Sequence, residues 1–443
     1  MFSNIPKFKF LLSLTLLTTL SLPLFAQVWT LQQCIDTAQQ YNLRLQISRN
    51  QVAMSLEKQK EAKANLIPKV KLEGDYKYFI DQPYQLMPQS AFGGPEGVFK
   101  EIQFGTPHNI NVALQAALPL YNPQIYGAIQ ATKTATTLNQ LQERKTEEEV
   151  IYTISNLYYN AQILEHQLAF VDSNMVNTKE LLRIMELLRE QQMVKKNDVE
   201  NVKLQEAKLT VQRETVANNL EQVIRLLKFN IGIPDETPFQ IEKEIHYEAL
   251  SAYQNNNPVD IQLLETKKNL LASEIRTLKY SRIPTLSAFG SYAQTGFGYI
   301  EKPDKGFLNF YPTSMVGVKL SMPIFNGTVT KHKITQKNLE LVNSDLQLNL
   351  LTKQTDIQIE NARKQRETAL KNISNSSLQL KIARSVYKQT VLQQEQGLAN
   401  ITDVLMADGN VKEAQQNYIN AVVSYLKADL ELKKLTGNIN TAK

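Results

Sequence analysis

Apolar and polar residues alternate along four short segments of the chain, and this period of two predicts four β-strands. The first segment, about 70–78, alternates apolar with charged residues, and the second, about 109–118, alternates apolar residues with asparagine and glutamine. The third, about 286–299, is rich in glycine and serine and alternates poorly, whereas the fourth, 316–322, alternates clearly. Each predicted strand has about 9–12 residues, the length of a tilted strand that crosses a bilayer.

A half-buried sheet in a soluble protein would alternate in the same way, so the pattern leaves two interpretations open. Long loops are predicted at 80–106 and 300–313, and tyrosine and phenylalanine flank the strands. Both features are typical of a membrane sheet and favour that interpretation. The segment GGPEG, at 93–97, is expected to form a turn in the first loop.

Two further parts of the chain carry apolar residues with a period of 3.5, which predicts helices packed as left-handed coiled coils. The stripe of the first helix, expected at about 123–192, is Val150, Ile154, Leu157, Ala161, Leu164, Leu168, Val171 and Met175. The stripe of the last helix, expected at about 400–437, is Val404, Ala407, Val411, Ala414, Tyr418, Ala421, Tyr425, Ala428, Leu432 and Leu435. Alanine alternates with large residues in the last stripe, which allows close helix packing.

The predicted helix lengths match in sets of three. The combined length of the helices expected at about 30–67 and 197–230 equals the length of the helix at 123–192. The helices expected at about 258–283 and 400–437 together correspond in length to the one at 327–396. A helix of about 70 residues measures about 100 Å at 1.5 Å per residue. We therefore expect two shorter helices, stacked end to end, beside each long helix, although a simple soluble coiled coil would show the same periodicity.

The same junction motifs occur twice, about 204 to 216 residues apart, which indicates an internal duplication. The repeated prolines are Pro68 and Pro284 before the strands and Pro119 and Pro323 after them. Proline lacks the N–H that a strand ladder needs, so these residues are expected to mark the junctions between strand and helix. Asn122 and Asn326 follow as the expected N-caps of the long helices.

These features predict four parts of the chain. They are a signal peptide at 1–26, a first repeat at 27–231, a connector at 232–257 and a second repeat at 258–443. In the repeats we expect β-hairpins at about 68–119 and 284–323 and helix turns at about 193–198 and 397–403. The signal peptide is predicted because two lysines precede a short apolar run and a small residue, Ala26, precedes Gln27.

Composition excludes several classes of protein. The formal charge of +6 is spread along the chain, which argues against a nucleic-acid partner. The single cysteine, Cys34, forms no disulfide framework, and the preceding Leu31-Gln32-Gln33 lacks the small residues of a lipidation site. The four histidines are isolated from other metal ligands, and no phosphate loop, dinucleotide fingerprint or nucleophile elbow is present. We therefore expect no enzyme activity, no cofactor and no metal site.

The motifs resemble those of the TolC-type outer membrane efflux protein family. WTLQQCIDTAQQYN resembles the family's opening helix, ANLIPKVKLEGDY the entry to its first strand, and LPLYN and MPIFNG its strand exits. The segments NNPVD and GLANITDVLMADGNVKEAQQNYINAVVSYLKADLELKKLTG resemble the start of its second half and its last hairpin.

The resemblance implies a mixed α and β membrane protein. Each chain contributes four β-strands to a trimeric 12-stranded outer-membrane β-barrel, which a long periplasmic coiled-coil α-barrel continues. It also implies the exit duct of a tripartite export system in a Gram-negative-type cell. The expected partners are two further copies of the chain, a periplasmic adaptor protein, an inner-membrane pump of the RND, ABC or MFS type, and outer-membrane lipid.

The resemblance also assigns roles to the two helix turns. It implies a periplasmic gate at Gly397, Asn400, Thr402 and Asp403, and an adaptor contact at Val194, Lys195, Lys196, Asn197 and Asp198. The lock that some family members carry is incomplete here, because Gln394, Ala399 and Met406 replace its tyrosine, arginine and second aspartate. An alternative role for Asp403 is stabilisation of the first turn of a helix.

A soluble periplasmic coiled-coil adaptor of the membrane-fusion type is the alternative function. Such a protein would have long helices, but it would have no need of two hairpins of membrane-spanning length. Membrane fractionation would distinguish the two functions.

Overall fold

The computed structural model describes residues 28–103, 105–245, 253–298 and 308–439. The predicted signal peptide and residues 246–252 of the predicted connector lie outside these ranges. The described residues form two compact units: unit 2 comprises 49–142 and 260–351, and unit 1 the remaining described residues.

The described residues form seven α-helices, one short 3₁₀-helix (Gln89–Phe92) and eight strands. In chain order the strands and α-helices are β1 (Val28–Trp29), α1 (Leu31–Tyr41), α2 (Leu43–Ala64), β2 (Lys69–Tyr78), β3 (Tyr84–Pro88), β4 (Phe99–Gln103), β5 (His108–Tyr121), α3 (Pro123–Glu190), α4 (Lys196–Ile231), β6 (Gln240–Ile241), α5 (Val259–Tyr280), β7 (Thr285–Gly298), β8 (Asn309–Ser321), α6 (Val329–Glu395) and α7 (Ile401–Leu435).

The four predicted strands are present as β2, β5, β7 and β8, and they form one antiparallel sheet in unit 2 in that order. The third strand, which alternates poorly in sequence, is nevertheless paired along its full length with β5 and β8. The loop predicted at 80–106 contains structure of its own, because β3 and β4 pair as a hairpin closed through Gly93 and Gly97. Both glycines have positive φ, as the predicted turn requires.

Two expected junctions differ from the structure. Pro119 was expected to end its strand, but β5 continues to Tyr121, and its register with β7 shifts between these two residues. A register shift accommodates proline, which has no N–H to donate to the ladder. Asn326 does not cap α6, because Gly327 and Thr328 separate it from the first helical residue, Val329.

The helices of unit 2 follow the order of the strands. Thr136 of α3 donates a hydrogen bond to the carbonyl of Ser55 in α2, and a Cβ at Gly127 of α3 would lie 2.6 Å from the hydroxyl of Thr277 in α5. Ion pairs then join α5 to α6, between Lys337 and Glu274 (3.0 Å) and between Lys268 and Asp345 (2.5 Å). This order follows because each helix continues directly from or into one strand of the sheet.

In unit 1 the helices pack in the order α4, α3, α7, α6. The interhelical contacts are Arg213–Asp172 (2.7 Å), the buried hydrogen bond from Asn174 to Gln415 (3.0 Å) and Arg366–Asp429 (2.7 Å). Eight of the ten residues in the predicted α7 stripe are buried, and Tyr418 and Leu435 are half-buried. This stripe is the continuous core of α7, as predicted.

The predicted α3 stripe is only partly buried. Val150, Ile154, Ala161 and Val171 are buried, whereas the other four positions are half-buried. Other buried positions of α3 lie outside the stripe, and they include four polar residues, namely Ser155, Gln162, Asn174 and Thr178. The apolar period alone could not identify them, because they are buried through hydrogen bonds and packing with other helices.

The ends of the shorter helices meet within unit 1. At the first joint, Asn42 donates to the carbonyl of Asn230 (2.5 Å), and a Cβ at Gly232 would lie 2.5 Å from the carbonyl oxygen of Tyr41. At the second joint, the N–H of Asn256 donates to the carbonyl of Thr436 (2.9 Å). The end of α4 thus meets the start of α2, and the end of α7 meets the segment before α5.

Side chains of α3 bind the backbone of β1 and of the connector. Tyr158 donates to the carbonyl of Trp29, while Gln162 donates to the carbonyls of Glu242 and Glu244 at 2.8 and 2.9 Å. Burial raises the pKa of Tyr158 to about 12, so the phenol stays protonated as a donor. Cys34 is fully buried in the same core, and burial raises its pKa to about 12.

A buried ionic cluster joins the connector to α6 and α7. Asp429 accepts from Tyr253 (2.9 Å) and pairs with Arg366 (2.7 Å) and Lys433 (3.1 Å). Burial alone would lower the pKa of Lys433, but the charge of Asp429 and the nearby Tyr253 raise it above its usual value. Asp429 therefore compensates two cations that are largely removed from solvent.

Both long helices end in the same left-handed turn. The closing hydrogen bonds run from the N–H of Met193 to the carbonyl of Leu188 (2.9 Å) and from the N–H of Leu398 to the carbonyl of Gln393 (2.8 Å). The left-handed residue is Gln192 (φ 61°) in the first turn and Gly397 (φ 71°) in the second. Glycine is the usual residue at this position, so Gln192 carries conformational strain that Gly397 avoids.

Asp429→Asn should lower the free energy of unfolding by about 2–3 kcal/mol, because it leaves two buried cations without a counter-charge. Asp172→Asn is the control, since its ion pair with Arg213 is half-exposed and should contribute less than about 1 kcal/mol. Guanidinium denaturation followed by circular dichroism measures both. Equal effects of the two substitutions would contradict the role assigned to Asp429.

Gly397→Ala should speed hydrogen exchange of the Leu398 amide about fivefold, which corresponds to about 1 kcal/mol of left-handed strain. No atom lies within 4 Å of a Cβ at this glycine, so the effect comes from the backbone alone. Gln192→Gly should slow exchange of the Met193 amide. Hydrogen exchange with mass spectrometry measures both, and a change of the same sign in the two variants would contradict the analysis.

Candidate functional site

Each helix turn is followed by an aspartate that caps the next helix. Asp198 accepts from the backbone N–H of Lys195 (3.2 Å) at the start of α4. At the start of α7, Asp403 accepts from the N–H of Asn400 (2.9 Å), and the Asn400 side chain accepts from the N–H of Asp403 (2.9 Å). This reciprocal capping box satisfies two backbone donors, and the carboxylate favours the positive end of the helix.

The two turns of unit 1 share one apolar core. It contains Met185, Val199 and Val202 from the first hairpin and Ile401 and Val404 from the second, all buried. A cleft of ≈ 500 Å³ lies between the turns; its lining includes Met193, Lys195 and Asp198 on one side and Gln394, Gly397 and Asn400 on the other. The structure therefore brings the predicted gate and the predicted adaptor contact together.

The predicted turn residues differ in exposure. Gly397, Asn400, Thr402 and Asp403 are exposed, as are Lys195, Lys196 and Asn197, while Asp198 is half-buried. Val194 is also half-buried, because it packs against the shared core.

Two exposed apolar residues in the turns were not among the predicted contacts. They are Met193 and Leu398, with 70% and 75% of their surface accessible. Each of them directly follows the left-handed residue of its turn. This equivalent position in the two repeats is the sequence signal that could have identified them.

The predicted junction residues lie at or near the ends of strands and helices. Pro68 and Pro284 directly precede β2 and β7, and Pro323 lies two residues after the end of β8. Asn122 accepts from the N–H of Gln124 (3.1 Å), so its side chain caps α3 as expected. The side chain of Asn326 instead donates to the hydroxyl of Thr330.

The four-stranded sheet has two unlike faces. One face bears apolar side chains with high exposure in the chain, such as Leu72 (70%), Val316 (91%) and Leu320 (70%). The other face bears a polar chain of hydrogen bonds, from Thr295 to Asn111 and from Asn111 to Asp75. Among the described strands, β2 and β8 are the two edges of this sheet.

The described residues contain no group of three or more histidine, cysteine, aspartate or glutamate side chains that could hold a metal ion. In the same ranges of the chain, no helix is both long and apolar enough to cross a membrane.

Comparison with known proteins identifies relatives over most of the chain. Residues 251–438 match the family described as "Outer membrane efflux protein". Outer membrane protein TolC of Salmonella enteritidis is 20% identical over 454 aligned positions, which cover 97% of this chain and 85% of the relative. TolC of Escherichia coli K12 is also 20% identical, over 94% of this chain and 83% of the relative.

Solved structures share the fold at lower identity. VceC, an outer membrane protein of Vibrio cholerae, matches with a TM-score of 0.74 and 14% identity, covering 92% of this chain and 96% of the other. The CmeC outer membrane channel of Campylobacter jejuni matches with a TM-score of 0.71 and 15% identity, covering 92% and 85%. The mixed α and β fold is thus that of outer membrane channels.

The matches confirm the outer membrane as the location of the protein. Residues 251–438 thus match the outer membrane efflux protein family, and the similarity to TolC extends over most of the chain, which agrees with the resemblance that the repeated motifs predicted.

Proposed function

We propose that three copies of this chain form the exit duct of a tripartite efflux system, which conducts solutes passively out of the cell. The observation that carries this proposal is the sheet of β2, β5, β7 and β8, with one apolar exposed face and two edges. In lipid, unpaired strand edges leave backbone polar groups without partners, so the sheet must close. Four strands are too few to close a barrel, and three copies supply twelve.

The helices supply the part of the duct that extends into the periplasm. The two halves of the chain have the same order of helices and main strands, and the joints at Gly232 and Gly437 are equivalent in this order. This correspondence supports the proposed duplication into repeats at 27–231 and 258–443, separated by a connector. Coiled-coil packing such as that of the α7 stripe can form the wall of the α-barrel.

The duct carries out no reaction in this proposal, so the energy for transport comes from its partners. The partners are a periplasmic adaptor and an inner-membrane pump, for which RND, ABC and MFS types all remain open. We place the adaptor contact at the first turn, where Lys195, Lys196 and Asn197 are exposed, and extend it to the exposed Met193. An apolar residue beside solvated cations suits a protein partner that buries the apolar surface.

The alternative function, a soluble periplasmic adaptor, is not favoured by the comparisons. It also leaves the apolar face of the sheet without an explanation, because a soluble adaptor would expose this face to water.

The lipid contact can be tested with two neighbouring residues of β8 on opposite faces. Val316→Lys places a charge on the apolar face, where lipid should make it cost about 2–4 kcal/mol and reduce the amount of trimer in the outer membrane. Met315→Lys, on the polar face, should leave trimer formation unchanged. Membrane fractionation followed by native mass spectrometry in detergent measures both.

Equal trimer yields for the two variants would show that the apolar face does not contact lipid. A wild-type chain that remains soluble in the periplasm would favour the adaptor function instead.

We propose that the second turn is the periplasmic gate and that three copies of Asp403 approach the pore axis. Like charges gathered at a narrow mouth attract multivalent cations. Because Asp403 also caps α7, alanine would remove both its charge and its cap. Asparagine removes the charge and keeps an oxygen that can accept from Asn400, so it separates the two roles.

Asp403→Asn should weaken block by a trivalent cation, added from the periplasmic side, about tenfold, because three charges are lost in the trimer. Asp198→Asn is the matched control, since Asp198 has an equivalent cap in the turn that we place away from the axis. Single-channel conductance in planar bilayers measures the block. If the two variants respond alike, Asp403 acts as a cap and does not face the pore.

A further inference from the structure

All charged side chains of the four-stranded sheet lie on one face. They are Lys69, Lys71, Glu73, Asp75 and Lys77 of β2 and Lys319 of β8. Directly paired residues share a face of the sheet, and Asp75 is connected in this way through Asn111 to Thr295 of β7. Lys319 pairs with Ser287, which lies eight residues before Thr295 and therefore on the same face of β7. The opposite face carries none, so the charge is concentrated where it would line the interior of a barrel.

The carboxylates on this face are already compensated. Glu73 pairs with Lys71 (2.5 Å) and accepts from Gln115, and Asp75 pairs with Lys77 (3.1 Å) and accepts from Asn111. Four lysines against two carboxylates leave a net charge of +2 for each chain.

The remaining charge resides on Lys69 and Lys319. Lys69 donates to the neutral side-chain oxygen of Asn65 (2.8 Å). Lys319 is exposed, and in the described part of the chain no carboxylate is paired with either lysine.

The register places these two lysines at the same end of the sheet. Lys69 pairs with Ala117, which pairs with Phe289, and Lys319 pairs with Ser287, two residues from Phe289 in β7. This end is the one at which α2 enters the sheet and α6 follows it. Lys69 lies on one edge strand and Lys319 on the other, so the two are far apart within one chain but close to the same end of the sheet.

We infer that Lys69 and Lys319 of three chains form a basic belt inside the barrel and that this belt favours the passage of polyanionic solutes. The inference rests on the proposed trimer, in which β8 of one copy lies beside β2 of the next. In the closed barrel, two lysines from each of three chains then line the lumen near the end at which the helices join the strands. Like charges on a wall of low dielectric constant concentrate counter-ions, here organic anions with several phosphate or carboxylate groups.

The belt can be tested by block of single channels with inositol hexakisphosphate, added from the side of the strand loops. Lys69→Gln/Lys319→Gln should weaken this block at least tenfold and shift the reversal potential in a KCl gradient toward cation selectivity. Lys71→Gln/Glu73→Gln removes one charge of each sign from the same face and should change the block less than twofold.

The outcomes distinguish a failure of the inferred belt from a failure of the proposed duct. Channels that conduct normally but are not blocked in the wild type, or are blocked equally in Lys69→Gln/Lys319→Gln, overturn the belt and leave the proposed function intact. Absence of any conductance in wild-type trimers overturns the proposed duct and the belt together.

Discussion

The antiparallel pairing of β5 with β7 is the interaction on which unit 2 depends, because it joins the two halves of the chain into one sheet. Without it the chain would have two separate hairpins with four edges, and isolated hairpins are only marginally stable. The pairing also sets α3 beside α5, where the absence of a side chain at Gly127 permits contact with Thr277. It leaves β2 and β8 as the edges, and these are the strands through which the proposed trimer closes.

Unit 1 is stabilised by a different combination of forces. The buried stripe of α7 supplies a continuous apolar core, while polar contacts such as Asn174–Gln415 fix which residues of α3 and α7 face each other. Apolar stripes alone permit sliding by a heptad, whereas a buried hydrogen bond is lost when the register changes. The cluster around Asp429 has a similar effect on α6, α7 and the connector, since a displaced partner would leave a buried charge uncompensated.

The same residues serve the fold and the proposed gate at the helix turns. Asp198 and Asp403 both cap a helix, so Asp403 stabilises the start of α7 in addition to its proposed role in the gate. The turns pack against one another through Val199, Val202 and Val404, which are among the most buried side chains of the chain. Movement of the second turn would therefore have to disrupt or carry along this shared core.

The sequence alone determined the features that depend on neighbouring residues. Periodicity, caps and prolines predicted the strands, the long helices and the α7 stripe, because these signals act over a few residues. Only the tertiary structure decided the pairing of β5 with β7, the hairpin of β3 and β4, the burial of Gln162 and Asn174, and the position of Lys69 and Lys319 at one end of a single sheet. Each of these depends on chain segments that are distant in sequence, and a period of two or 3.5 carries no information about which distant segment becomes the partner.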